Sequence, residues 1–114
     1  MVHELNSESF KEQLFDYTLG DDATLKLKNN GILEFYVPWC PHCQAMMPRY
    51  DKISHMFEAI SCYRVNMEAY PDIAELFGVE SFPTFIYIFP NGDMRKSVGE
   101  MSVDDFADMI KSTF

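Results

Sequence analysis

Two cysteines spaced by two residues stand where a β-like run gives way to a helix-like one. The segment Trp39-Cys40-Pro41-His42-Cys43 follows Ile32-Leu33-Glu34-Phe35-Tyr36-Val37 after a single proline, Pro38. Thiol–disulfide exchange needs a thiolate and a second thiol within reach. Cys-x-x-Cys on a first helical turn supplies both, because unpaired backbone N–H groups and the helix dipole favour negative charge on the first sulfur. Cys40 is therefore expected to be the nucleophile. Cys43, one turn deeper, is expected to resolve the mixed disulfide by attacking Cys40. Between them, His42 would favour the Cys40 thiolate as a charged neighbour or as a neutral hydrogen-bond donor, unless it only meets solvent. Zinc is the other use of such a pair. A structural zinc site takes four ligands. Only His3, His42, His55 and Cys62 are left to complete one, and none shows paired ligand spacing, so no metal is expected.

The elements that must position these residues follow from pattern. Ile32 to Val37 reads as a central strand, apolar on both faces apart from Glu34. After Cys43, the residues Met46, Tyr50, Ile53, Phe57 and Ile60 recur at helical spacing, with Pro48 inside the run as a kink. Upstream, Ser7 to Tyr17 carries Phe10, Leu14 and Tyr17 on one face, with Ser7 as its expected N-cap. Cys62 to Met67 reads as a strand and Pro71 to Phe77 as a short helix ended by Gly78. Thr84 to Phe89 and Met94 to Val98 flank Asn91-Gly92, which predicts a type I′ hairpin. Ser102 caps a last helix with Val103, Phe106 and Ile110 toward the core. The predicted order is β-α-β-α-β-α-β-β-α. It gives an α/β mixed central sheet with helices on both faces.

The 114 residues suit one domain spanning 1–114, and 47% hydrophobic content suits a packed core. Eighteen acidic residues against nine Lys and Arg leave a net charge of −9. That surface repels phosphate backbones and carries no polybasic signal for anionic membranes, so neither nucleic acid nor membrane is an expected partner. The start has no basic region followed by an apolar run, and no apolar stretch is long enough to span a bilayer. Three cysteines are too few for a disulfide-stapled secreted fold. A cytoplasmic protein with reduced thiols is expected, although a leader removed earlier would leave the same sequence. Cys62 reads as a small buried hydrophobe.

Beyond the cysteine pair, the chain resembles the thioredoxin family over nearly its whole length. Trp39 to Cys43 is similar to that family's active-site segment, and Pro48 falls five residues after the second cysteine, where the family has its helix-kinking proline. Six residues before the first cysteine the family has a buried acid; here it is Glu34, as in disulfide isomerase domains. The resemblance implies a buried Glu34 near Cys43, with a raised pKa, that accepts and returns the Cys43 proton. An exposed strand carboxylate is the alternative. Phe82-Pro83-Thr84 resembles the family's cis-proline loop facing the cysteines, where the residue before proline offers backbone hydrogen bonds to a bound peptide. The implied substrate-binding set is Trp39, Pro41, Phe82, Pro83, Gly99 and Met101, with simple surface exposure as the alternative for Met101.

Two departures stand out. Pro41-His42 replaces the usual Gly-Pro and resembles periplasmic thiol oxidases, whose long helical insertion is missing here. Arg64 takes the place of a lysine that many thioredoxins carry near the buried acid. The resemblance implies a protein-disulfide oxidoreductase working through a reversible Cys40–Cys43 disulfide, with no bound cofactor. The expected partners are disulfide-containing proteins and a thioredoxin-reductase-like electron donor, and the chain is expected to act as a monomer. A more oxidising thiol oxidase or disulfide isomerase is the alternative, followed by a non-catalytic binding module.

Overall fold

The computed structural model describes residues 1–114. Its strands are β1 (Val2–Leu5), β2 (Gly31–Tyr36), β3 (Ser61–Asn66), β4 (Thr84–Ile88) and β5 (Met94–Val98). Its helices are α1 (Ser7–Gln13), α2 (Pro41–Met56), α3 (Pro71–Leu76) and α4 (Val103–Thr113), with a 3₁₀ segment at Tyr17–Asp22. The order is the one predicted. The strands form one sheet in the order β1-β3-β2-β4-β5. β1, β3 and β2 run parallel, while β4 is antiparallel to β2 and β5 to β4.

Strand alternation divides the core. Ile32, Phe85 and Tyr87 face one side, where Met46, Tyr50 and Ile53 of α2 and Phe106 and Ile110 of α4 cover them. Leu33, Phe35, Ile86 and Ile88 face the other, against Phe10 and Leu14 near α1 and Ile73 of α3. The same alternation sends Glu34 toward the α2 side with Ile32. No helix is long and apolar enough to cross a membrane.

Three local expectations are corrected. α1 is capped by Asn6, not Ser7. The Asn6 side chain accepts from Ser9 N at 2.8 Å while Ser9 Oγ accepts from Asn6 N at 2.9 Å, a reciprocal pair that satisfies two otherwise orphaned amides. α1 also ends at Gln13 rather than Tyr17, because Asp16 caps a new turn by accepting from Thr18 N at 3.0 Å. The hairpin is not type I′, which needs positive φ at both central residues. Among the loop residues only Gly92 has it, at 97°. Gly92 N donates to the Phe89 carbonyl at 2.9 Å and Phe89 N to that of Asp93 at 2.8 Å, so Pro90 and Asn91 form the turn and Gly92 follows it.

Candidate active site

Cys40 is the N-cap of α2, with extended φ/ψ of −81° and 125°, and Pro41 occupies the first turn. Proline suits that position because the amide it lacks would have no helical partner. The Cys40 carbonyl accepts from Gln44 N at 2.9 Å. Both cysteines are free thiols. They pack with Tyr36 and Val37, and Met67 and Phe82 lie against this cluster. Cys40 is 5% exposed and Cys43 1%, so Cys43 is the deeper of the two, and Cys40 as a residue is itself largely enclosed. α2 runs through Pro48, which cannot donate to the Gln44 carbonyl.

Glu34 is 1% exposed, and neither carboxyl oxygen has a hydrogen-bond partner. Burial pushes its pKa up from 4.5 to about 8, against an opposing pull from Arg64. Arg64 lies opposite Glu34 across β2–β3, yet its Nε bonds Glu4 Oε1 at 2.8 Å and its guanidinium sits over the Tyr36 ring. The cation opposite Glu34 is thus committed elsewhere. Burial raises the Cys43 thiol to about 11; the Val37 amide opposes this, while Cys40 and the Glu34 charge add to it.

His42 pairs with an acid from a distant loop. Its Nδ1 lies 2.6 Å from Glu100 Oε1, and Arg49 Nη1 donates to Glu100 Oε2 at 3.0 Å. Sequence reasoning missed Glu100 and Arg49. The available signal was spacing: His42 and Arg49 are seven apart and share a face of α2, while the helix's one acid, Asp51, sits two residues from Arg49 and pairs with His55. The indole N–H of the exposed Trp39 donates to Glu68 Oε2 at 2.5 Å, and its ring meets Phe82 edge-on with centroids 5.5 Å apart. The Phe82–Pro83 peptide is cis, and Gly99 N donates to the Pro83 carbonyl at 2.8 Å. Phe82 therefore reaches the cysteine cluster itself, with Trp39 against its ring and Gly99 tied to the neighbouring Pro83. Met101 is half-buried against the α2–α4 core instead, its amide 3.2 Å from Met46 Sδ.

Cys62 belongs to the α2–α4 core, where burial raises its thiol to about 11. No group of three or more His, Cys, Asp or Glu side chains is placed to hold a metal ion. A cavity of about 510 Å³ opens beside β1, lined by His3, His55 and Tyr63 among others, and it reaches neither Cys40 nor Cys43.

The thioredoxin family model matches residues 1–112. A thioredoxin of Borreliella burgdorferi is 32% identical, over 100% of this chain and 98% of that protein. A probable protein disulfide-isomerase of Medicago sativa is 31% identical over 93% of this chain but only 28% of its own length. A protein disulfide-isomerase of Zea mays is 28% identical over 98% of the chain and 22% of that protein. The chain thus spans less than a third of these isomerases. The crystal structure of thioredoxin NaTrxh from Nicotiana alata superposes with a TM-score of 0.79 at 20% identity, covering 97% of this chain and 90% of that one, so the fold is the thioredoxin fold. With family model, full-length relative and fold in agreement, the chain belongs to the thioredoxin family and is a thiol–disulfide oxidoreductase.

Proposed function

We propose that the chain reduces disulfides in protein substrates, with Cys40 as nucleophile and Cys43 as resolving thiol. The Cys40 thiolate attacks one sulfur of the substrate disulfide. A bond from Cys40 Sγ to that sulfur forms, and the other substrate sulfur leaves as a thiolate and takes a proton. Cys43 then gives its proton to the Glu34 carboxylate and attacks Cys40 Sγ. The Cys40–Cys43 disulfide forms, and the second substrate thiolate departs and takes the proton that Glu34 returns. Two electrons and two protons pass to the substrate in all, and the two thiols store them without a bound cofactor. A thioredoxin-reductase-like donor returns the electrons.

The observation that carries this reading is a dithiol at a helix N-terminus backed by a buried carboxyl with no hydrogen-bond partner. Such an acid, raised to about 8, is matched to proton transfer near neutral pH. Trp39, Pro41, Phe82, Pro83 and Gly99 form the surface that meets the substrate peptide, with Met101 behind them. The protein works as a monomer in the cytoplasm, where thiols are kept reduced. A thiol oxidase or disulfide isomerase of the same fold is the second reading. Pro41-His42 and the isomerase relatives favour it; the pairing of His42 with Glu100, rather than Cys40, counts against it.

The test is reduction of insulin disulfides by dithiothreitol, followed as turbidity. The wild-type chain accelerates it, Cys40→Ser does not, and Cys43→Ser accumulates a mixed disulfide on Cys40. Full acceleration by Cys40→Ser would overturn the assignment.

A further inference from the structure

The loop from Gly99 to Met101 spans the gap between the Pro83 turn and α2. Gly99 N is tied to the Pro83 carbonyl at 2.8 Å. On the α2 side Arg49 Nη1 donates both to the Met101 carbonyl and to Glu100 Oε2, each at 3.0 Å. Glu100 thereby has one oxygen fixed by Arg49, and its other oxygen lies 2.6 Å from Nδ1 of His42, two residues from Cys40 in sequence. The imidazole is 68% exposed, so packing alone does not hold it. A ring whose Nδ1 is committed to Glu100 is not free to turn that nitrogen toward the Cys40 sulfur.

We infer that Glu100, anchored by Arg49, is a positioning residue that holds His42 away from Cys40 and so keeps the Cys40–Cys43 couple reducing despite the Pro-His insert. This rests on the exchange chemistry proposed above. Charge sets the direction. Removing Glu100 deletes one negative charge from the neighbourhood of Cys40. The same substitution releases the imidazole ring. Each change favours the Cys40 thiolate, and stabilising the reduced form makes a couple more oxidising.

The experiment equilibrates wild type, Glu100→Ala, His42→Ala and the double variant against glutathione. Disulfide formation in the protein releases two electrons and two protons, which convert one glutathione disulfide to two thiols. Glu100→Ala is expected to shift the equilibrium about fivefold toward the dithiol, roughly 20 mV for a two-electron couple. Less than half of that shift should survive in the His42→Ala background, as expected of residues acting through one another. Imidazole ¹⁵N shifts supply a readout that a merely structural role would not move. Neutral His42 should carry its proton on Nδ1 in the wild type and lose that preference in Glu100→Ala. An unchanged equilibrium in Glu100→Ala, an equal shift without His42, or an unaltered tautomer would each overturn the inference. Loss of the reversible couple in the wild type would instead overturn the exchange chemistry itself.

Discussion

Glu34 places a pH-dependent penalty on the fold that can be worked out and measured. Folding holds its pKa at about 8, against an ordinary value of 4.5. Between those values the unfolded chain has released the proton while the folded chain keeps it. The native state then binds more protons, so stability falls as pH rises through this window. At about 1.4 kcal/mol per unit, the full difference is roughly 5 kcal/mol, reached above pH 8 and absent below pH 4.5. Glu34→Leu removes the titration and fills a site between Arg64 and Phe85 of the neighbouring strands with an apolar side chain. Urea unfolding of both chains from pH 4.5 to 8.5 gives the difference in stability, in which other titrating groups cancel. The Leu variant should gain on the wild type by several kcal/mol across that range while losing exchange activity. A difference that stays flat with pH would refute the buried, proton-holding carboxyl.

Three further outcomes follow from the same geometry. Resolution of a preformed mixed disulfide on Cys40 should speed up roughly fivefold from pH 7 to 8 as Glu34 ionises, and stopped-flow should show the rise disappear in Glu34→Gln. Tyr50 Oη bonds the carbonyls of Ile32 and Tyr63 and accepts from Tyr63 N, all buried, so Tyr50→Phe should cost about 1–3 kcal/mol in urea unfolding. Ser102→Ala removes the 3.0 Å bond that caps α4 at Asp105 N and should cost about 1 kcal/mol.

The sheet and its helices were legible because their signals are local and periodic. The apolar run of β2, the spacing of Met46, Tyr50 and Ile53, and the Ser102 cap each point to one element. The cysteine pair was legible for the same reason, since its chemistry lies in a five-residue segment. The end of α1 was not, because a competing cap at Asp16 outweighed continued helical periodicity. The hairpin misled because Asn-Gly has two uses, and Pro90 favoured the one with the glycine after the turn. The partner of His42 was hidden because Glu100 comes from a loop 58 residues away, joined only by tertiary packing. The fate of Arg64 was hidden likewise: its distance from Glu34 in the sequence says nothing of Glu4 on the outer strand, which holds it.

The most direct test is the equilibrium between the reduced chain and glutathione disulfide, read as the fraction of Cys40–Cys43 disulfide at each poise. Cys40 and Cys43 should titrate as one reversible two-electron couple that vanishes in Cys40→Ser and is indifferent to Cys62→Ser. A chain that shows no such couple, or one that survives without Cys40, would contradict the assignment of exchange chemistry to this pair.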